Sequence, residues 1–232
     1  MTYDEFRAYC EAEGLEVTEE TLGKLKIYAA RLKEWNEKMN LTSIVEEEEV
    51  IEKHFLDSAL PLFAFGFAGK NVADMGSGAG FPGMVLALLC PECQVTLIDA
   101  TEKKFQFLKT IKEELGIQNV SFHIGRVEDM HKQKETFDLV ISRGFASLPI
   151  LMEVGTPLLK IKGQLIAMKG PKAEEELTLA RSAIKTLGLQ YLKADRRVLP
   201  VSGERVNLFF LKALPTPQKF PRPWAAIKHK PL

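Results

Sequence analysis

Residues 70 to 212 alternate between short apolar runs and longer amphipathic segments, and this alternation limits the fold more than any other feature. The runs "NVADMG", "QVTLIDA", "VSFHIGR", "FDLVISRG" and "GQLIAMKG" are typical of buried strands. Strands that alternate with helices predict a parallel sheet that is covered on both faces. Two further strands, "LQYLKADRRVLP" and "RVNLFFLKA", have only "VSGE" between them, which predicts an antiparallel hairpin. We therefore predict an α/β fold with a doubly wound, mostly parallel, seven-stranded sheet.

The helices between these strands are predicted over residues 82–90, 102–116, 148–160 and 173–188. Residues 1–68 also predict helices, because the apolar residues Leu22, Leu25, Tyr28 and Leu32 recur at spacings of three and four. We place boundaries near Gly69 and after residue 214. The chain then has an N-terminal helical region (1–68), a sheet domain (69–214) and a C-terminal tail (215–232).

The formal net charge is +0, but the charges are unevenly distributed. Residues 1–60 hold 15 acids and 7 bases, whereas the residues after Glu204 include no acid. A one-signed basic tail suits a polyanionic partner, although charge alone favours the simpler explanation of a solvated terminus. No apolar run approaches the length of about 18 residues that a membrane span requires. The N-terminus also lacks the features of a signal peptide, so we expect a cytoplasmic protein.

The three cysteines include one short motif, "CPEC", at Cys90 and Cys93. A structural zinc site usually needs four ligands, and no second pair of this kind follows. We therefore expect no metal site and interpret both cysteines as incidental thiols at the end of a helix.

The stretch "VADMGSGAGFPG" joins the first predicted strand to the following helix. Ligands of open parallel sheets bind beyond the carboxyl ends of the strands, where this loop lies. Phe81 stands where a dinucleotide fingerprint has its third glycine, and no lysine is present to face a phosphate. The glycines let a ligand approach the backbone closely, and the preceding acid favours a cationic or amino-bearing ligand. The predicted loop residues are Asp74, Gly76, Gly78 and Gly80.

Asp99 ends the second predicted strand, where an acid can accept hydrogen bonds from ribose hydroxyls. Val127 and Glu128 follow the third strand and are placed to flank an adenine ring and its amino group. A ligand with an adenosine, an ammonium group and no phosphate is S-adenosylmethionine. The sequence therefore predicts an S-adenosylmethionine site, and a class I, Rossmann-like methyltransferase fold.

Several strings of the sequence together resemble the bacterial 16S ribosomal RNA guanine-N7 methyltransferase family, also called glucose-inhibited division protein B. They are "NEKMNLT", "HFLDS", "DMGSGAGFPG", "LIDATEKK", "GRVED", "SRGFA", "MKG", "KFPRP" and the final "KPL". The resemblance implies methyl transfer from S-adenosylmethionine to N7 of one guanine in small-subunit rRNA. It implies cofactor contacts at Gly76, Phe81, Val127, Glu128 and Arg143. The tail "PRPWAAIKHKPL" departs from the common "PR-x-x-G" ending, and Ser142-Arg143-Gly144 stands where the family usually has "SRA".

No catalytic residue is assigned, since guanine N7 carries a free lone pair and needs no general base. Arg143 is a candidate for holding the cofactor, the base or a phosphate; the alternative is an ion pair with an acid such as Glu128. The predicted RNA contacts are Lys169, Lys219, Arg222 and Lys228. For the tail, the alternative is that Phe220 and Trp224 pack it onto the body.

Two other functions remain open at this point. A methyltransferase of the same fold could act on a small molecule or a protein, and a binding protein could keep the fold without catalysis. The intact loop and Asp99 argue against the second. The expected partner is 16S rRNA or a small-subunit particle, and the expected state is a monomer.

Overall fold

A computed structural model describes residues 1–130 and 134–232 as a seven-stranded sheet with helices on both faces. The strand order is β3-β2-β1-β4-β5-β7-β6. Strands β1 to β5 pair in parallel, β7 is antiparallel to β5, and β6 is antiparallel to β7. The predicted fold and the closing hairpin are therefore confirmed. The strands are β1 (Asn71–Met75), β2 (Gln94–Asp99), β3 (Val120–Ile124), β4 (Phe137–Arg143), β5 (Leu159–Lys169), β6 (Leu189–Leu199) and β7 (Gly203–Lys212).

The chain order reverses direction across the sheet between β1 and β4. The loops after these two strands therefore diverge, which opens a crevice at their carboxyl ends. Strand β1 is buried over its last four residues, as expected for a strand covered on both faces.

Helices of the N-terminal region cover one face together with the helices after β1 and β2. They are α1 (Tyr3–Ala12), α2 (Glu19–Met39), α3 (Glu47–Val50) and α4 (Asp57–Ala64), with a π-helical segment, Ile51–Leu56, joining α3 to α4. The predicted apolar face of α2 is buried, and the Thr18 hydroxyl accepts a hydrogen bond from the Thr21 amide to cap this helix. One apolar cluster continues from these helices into α5 (Gly83–Leu89) and α6 (Glu102–Glu114). The helical region thus shares its core with the sheet domain.

A second apolar cluster covers the other face of the sheet. It contains residues of α7 (Leu148–Gly155), α8 (Ala173–Leu179), α9 (Arg181–Thr186) and α10 (Trp224–His229). The tail is therefore packed onto this face, since Phe220 and Ile227 are both buried.

Two predicted helices have different bounds in the structure. The helix predicted over residues 148–160 ends at Gly155; a 3-10 turn follows, and the chain enters β5 at Leu159. Pro157 lacks the amide hydrogen that helix continuation requires, and Leu159 pairs with Phe137 of β4. The helix predicted over residues 173–188 divides at Ala180, and both parts pack against α7.

Candidate active site

Two adjoining cavities lie at the carboxyl ends of the strands, and they share Gly144 and Phe145. We name them the β2 cavity and the β5 cavity after the strands that end beside them. The β2 cavity, of about 390 Å³, is lined by Gly76, Ile98, Asp99, Ala100, Lys104, Gly125, Arg126, Val127, Glu128, Gly144, Phe145 and Trp224. The β5 cavity, of about 520 Å³, is lined by Asp57, Arg143, Gly144, Phe145, Ala146, Ser147, Met168, Lys169, Gly170, Glu176 and Arg205.

Four predicted cofactor residues lie in the wall of the β2 cavity: Gly76, Asp99, Val127 and Glu128. Gly76 has a φ of +73°, and a Cβ at this position would lie 2.7 Å from Cδ2 of Phe145. Its amide donates to the Ile98 carbonyl at 2.8 Å, which turns the chain across the end of β2. Glycine is therefore required here both by conformation and by space.

Asp99 connects the glycine loop to the end of β2. Its Oδ2 accepts from the Gly78 amide at 3.0 Å and from Nζ of Lys104 at 3.1 Å, while Oδ1 accepts from the Thr101 amide at 2.8 Å. Burial alone would raise the pKa of Asp99, but the Thr101 hydrogen bond and the Lys104 charge outweigh it and lower the pKa. Asp99 is therefore a carboxylate at neutral pH. Gly78 belongs to the site through this hydrogen bond rather than by lining the cavity.

The other predicted loop residues, Asp74, Gly80 and Phe81, lie beneath the cavity wall rather than in it. Asp74 is fully buried, and its Oδ2 accepts from the Gly83 amide at 2.8 Å. A Cβ at position 80, where φ is +98°, would lie 2.3 Å from the Tyr28 hydroxyl oxygen. This part of the loop packs against the helical region. Asp74, Gly80 and Phe81 therefore lie where they support the residues that line the cavity.

Burial raises the pKa of Asp74 to about 7, and the Asp99 charge adds to the rise. The hydrogen bond from Gly83 and the charge of Arg143 act in the opposite direction. Its Oδ1 has no hydrogen-bond partner, which is unusual for a buried carboxyl oxygen. Asp74 therefore responds to charges on both sides of the crevice.

Phe81 lies in an aromatic stack between the helical region and the loop. Its ring is 4.3 Å from the His54 ring and 5.4 Å from the Tyr28 ring, and both pairs are nearly parallel. The Tyr28 hydroxyl also donates to the Ala79 carbonyl at 2.5 Å. The helical region thus holds the glycine loop from below, a role that the sequence patterns did not indicate.

Arg143 ends β4 and points toward the helical region. Its Nη1 donates to the Lys53 carbonyl at 2.9 Å and to Oδ2 of Asp57 at 2.7 Å. Arg143 is therefore ion paired, as the alternative expects, but its partner is Asp57, and the carboxylate of Glu128 instead lies 3.4 Å from Arg126. Asp57 directly follows the π-helical segment Ile51–Leu56, whose Lys53 carbonyl contacts Arg143 at the end of β4. The fold therefore brings Asp57, rather than Glu128, to Arg143. Arg143 lines the β5 cavity and not the β2 cavity.

His54 is held neutral beside this arginine. Burial, followed by the Arg143 charge, lowers the pKa of His54 to about 3. Its Nδ1 therefore accepts from Nη2 of Arg143 at 3.1 Å, and its protonated Nε2 donates to the Thr42 hydroxyl at 3.0 Å. The strings "NEKMNLT" and "HFLDS" thus meet at this position and fix the orientation of Arg143.

Two further cations line the β5 cavity. Nζ of Lys169 donates to the Ala146 carbonyl and to Glu176, each at 2.8 Å. Arg205, on β7, lies 3.2 Å from Oδ1 of Asp57. Lys169 is one of the predicted RNA contacts, and Asp57 belongs to the string "HFLDS". The sequence did not indicate that Asp57 lies between Arg143 and Arg205, because these residues come from distant parts of the chain.

The predicted RNA contacts of the tail have different surroundings. Arg222 forms a two-pronged ion pair with the fully buried Glu153, with the closest contact at 2.6 Å. Lys219 and Lys228 are exposed, and the ammonium of Lys219 lies 5.3 Å from the Phe220 ring centre. Trp224 lines the β2 cavity. The sequence indicates this residue as an aromatic among basic residues, which either stacks on an RNA base or packs the tail onto the body, and it does not indicate the place of Trp224 in the β2 cavity.

Over the described ranges 1–130 and 134–232, no cluster of histidine, cysteine or acidic side chains is arranged to bind a metal. In the same ranges, none of the helices is long and apolar enough to cross a membrane. Cys90 and Cys93 are buried free thiols whose pKa values are raised by burial.

Solved structures with a similar fold include YcgJ of Bacillus subtilis, with a TM-score of 0.56 and 14% identity. It is matched over 69% of this chain and 100% of its own. A second is M. jannaschii TYW2 in complex with AdoMet, with a TM-score of 0.55 and 18% identity, over 73% of this chain and 77% of its own. At these identities the similarity concerns the fold alone.

Two curated relatives align over the full length of both chains. Ribosomal RNA small subunit methyltransferase G of Halalkalibacterium halodurans is 39% identical over 237 residues, and that of Lactobacillus acidophilus is 40% identical over 239 residues. The family model GidB, described as rRNA small subunit methyltransferase G, matches residues 21–198. The matched range includes the glycine loop and most residues of both cavities. The chain therefore belongs to the rRNA small subunit methyltransferase G (GidB) family.

Proposed function

We propose that this protein transfers the methyl group of S-adenosylmethionine to N7 of one guanine in small-subunit ribosomal RNA. Membership of the family makes the chain an S-adenosylmethionine-dependent methyltransferase that acts on rRNA. The observation that carries the finer proposal is the pair of adjoining cavities. The β2 cavity suits an adenosine with a cationic group, whereas the β5 cavity is lined by three cations. Gly144 and Phe145 line both cavities.

The residues of the β2 cavity fit S-adenosylmethionine. A carboxylate has about four acceptor positions, and Asp99 uses three of them within the protein, which leaves one for a ribose hydroxyl. Ile98, Val127 and Phe145 supply apolar surface for the adenine ring. The turn at Gly76 presents backbone without a side chain, as the close approach of a ligand requires.

When bound, S-adenosylmethionine supplies an electrophilic methyl group on a sulfonium. Guanine N7 has a lone pair and no proton, so the protein needs to position the base rather than to remove a proton. The arrangement in the β5 cavity agrees with this requirement. Its two carboxylates are ion paired, Asp57 with Arg143 and Arg205, and Glu176 with Lys169.

Methylation at N7 gives the guanine ring a positive charge, which nearby cations do not stabilise. We therefore assign Arg143, Lys169 and Arg205 to phosphates that flank the base, since phosphate contacts supply most of the affinity for nucleic acids. Lys219 and Lys228 extend this set as exposed contacts on the tail, and Arg222 keeps its predicted RNA contact in addition to its pair with Glu153. The working form in this proposal is a cytoplasmic monomer.

The test is transfer of tritium from labelled S-adenosylmethionine to small-subunit particles, and to their extracted rRNA, from cells that lack this methylation. We expect label at one guanine that becomes cleavable by the alkali treatment specific for N7-methylguanine. Comparing particles with extracted rRNA then identifies the substrate form. Absence of label in both, with cofactor binding intact in calorimetry, would contradict the proposal and favour a small molecule or a protein as the acceptor.

A further inference from the structure

The segment 220–230, which we name the C-terminal arm, is held against α7 by Arg222. The Arg222 guanidinium donates to both carboxylate oxygens of Glu153, at 2.7 and 2.6 Å. The same guanidinium donates to the Lys230 carbonyl at 3.0 Å. Arg222, near the start of the arm, thus contacts both α7 and the end of the arm. Glu153 is fully buried, so the pair cannot open without leaving a charge in the core.

Apolar side chains fix the arm at two more points. Phe220, the first residue of the arm, has 3% of its surface exposed, and Ile227 is fully buried in the cluster that contains α7. Between these anchors stands Trp224, the first residue of α10. It packs against the same cluster and also lines the β2 cavity.

We propose that Trp224 contacts the adenosine of S-adenosylmethionine, and that the Arg222–Glu153 pair positions it for this contact. The inference rests on the proposed function, because it assigns one wall of the same cofactor cavity. Val127, Phe145 and Trp224 then form an apolar lining contributed by three separate parts of the chain. Arg222 is a positioning residue, since it acts through Trp224 and does not line the cavity.

The chemistry of the cavity favours adenosine over RNA as the partner of this indole. Trp224 lies in the cavity that contains Asp99 and Glu128, and does not line the neighbouring cavity with its three cations. An RNA base that stacked on Trp224 would bring its phosphates toward these carboxylates. An adenosine with a cationic substituent meets no such repulsion.

The first test uses tryptophan fluorescence, because Trp35 and Trp224 are the two tryptophans of the chain. The variant Trp35→Phe leaves Trp224 as the reporter, and S-adenosylhomocysteine is the added ligand. We expect a saturable change in emission that follows the same Kd as calorimetry of the same variant. Saturation in calorimetry without any change in emission overturns the inference.

The second test compares affinities for S-adenosylhomocysteine among three variants. Trp224→Ala is expected to raise Kd about tenfold, in line with the loss of one stacked base. Trp224→Phe keeps an aromatic face and should stay within about threefold of wild type. His229→Ala, an exposed change on the same helix, is the matched control and should leave Kd unchanged.

A Trp224→Ala variant that folds, as judged by circular dichroism, and binds as tightly as wild type overturns the inference while leaving the cofactor assignment in place. If wild type itself fails to bind S-adenosylhomocysteine, the proposed function fails first and this inference falls with it. If Trp224→Ala loses RNA affinity but not cofactor affinity, Trp224 faces RNA and the inference is wrong.

For the positioning role, Glu153→Gln keeps a hydrogen-bonding side chain but removes the charge that holds Arg222. We expect this variant, in the Trp35→Phe background, to shift Trp224 emission toward that of an exposed indole before ligand is added. Unchanged emission would contradict the positioning role of the pair.

Discussion

The β2 and β5 cavities adjoin each other, yet they differ in their charged groups: two acids and two cations line the β2 cavity, whereas two acids and three cations line the β5 cavity. In the β2 cavity the acids are the shielded partners: the side chain of Asp99 is 9% exposed and its partner Lys104 is 31% exposed. Glu128 and Arg126 follow the same arrangement, at 11% and 57%. In the β5 cavity Asp57 is likewise more shielded than its partners Arg143 and Arg205, but Lys169, at 10% exposed, is more shielded than Glu176, at 26%.

This difference explains how one crevice can receive two reactants of opposite charge. Shielded carboxylates favour a ligand with hydroxyl and ammonium groups, whereas an excess of cations favours phosphates. The cavities meet only at Gly144 and Phe145, so the cofactor and the RNA would approach each other there. Three substitutions test how independent the two cavities are.

The largest effect is expected for Asp99→Ala, which removes an ionised acceptor from the β2 cavity. Loss of a charged hydrogen bond of about 2–3 kcal/mol corresponds to a roughly 30- to 140-fold rise in Kd for S-adenosylhomocysteine. Part of the loss would come from Gly78, whose amide would lose its acceptor. Calorimetry measures the ligand affinity, and filter binding should give an unchanged RNA affinity at saturating ligand.

Two variants control this prediction. Asp99→Asn keeps one acceptor oxygen and should lie between wild type and Asp99→Ala. Glu113→Ala removes an exposed acid from α6 and should leave both affinities unchanged. If Asp99→Ala bound S-adenosylhomocysteine as tightly as wild type does, the proposed contact between Asp99 and the ribose would be wrong.

The next effect concerns Asp74, whose pKa is raised mainly by burial and is also affected by the charges of Arg143 and Asp99. Its pKa is raised from 3.8 to about 7, so its contribution to stability is complete below 3.8 and is lost as pH rises through about 7. Asp74→Asn keeps an acceptor for the Gly83 amide but cannot ionise. Between pH 5.5 and pH 8.5, wild type should lose about 2 kcal/mol of unfolding free energy relative to the variant.

Urea unfolding of both proteins at the two pH values measures this difference. His54 has the opposite pH dependence, because its pKa is lowered from 6.5 to about 3. Its contribution to stability is complete above pH 6.5 and is lost as the pH falls toward 3. Comparing wild type with Asp74→Asn cancels the His54 contribution, since both proteins contain it. A difference that does not change with pH would show that Asp74 is already ionised at pH 5.5.

The smallest effect is expected for Lys169→Ala in the β5 cavity. Loss of one phosphate contact should weaken RNA binding about three- to tenfold and reduce the slope of log K against log salt by about 1. Cofactor affinity should not change, and Lys185→Ala, an exposed lysine on α9, serves as the control. If RNA binding weakened but the slope of log K against log salt did not change, Lys169 would have only a structural role, through its contacts with Glu176 and the Ala146 carbonyl.

Much of the β2 cavity was predictable because its residues follow strand ends. Gly76, Asp99, Val127 and Glu128 each stand directly after or at the end of a predicted strand, and the edges of parallel strands meet. Asp74, Gly80 and Phe81 belong to the same motif but lie beneath the wall. A motif gives the order of the residues, whereas the packing of Tyr28 and His54 decided which of them line the cavity.

The β5 cavity was less predictable, since its charged residues come from five separate elements. Asp57, Arg143, Lys169, Glu176 and Arg205 lie on α4, β4, β5, α8 and β7. Arg143 and Lys169 were predicted because they end strands, but no spacing in the sequence pairs them with Asp57 and Glu176. Only the contact of the helical region with the strand ends brings Asp57 between two arginines.

The sequence by itself determined the alternation of strands and helices, the glycine turn and the acid at the end of β2. These features depend on local conformation and hydrophobic period, which neighbouring residues specify. The tertiary structure decided that α2 supports the glycine loop, that Asp57 orients Arg143, and that Trp224 reaches the β2 cavity. Such contacts join residues far apart in the chain, and they arise because burial of shared apolar surface brings the helical region and the tail onto the sheet.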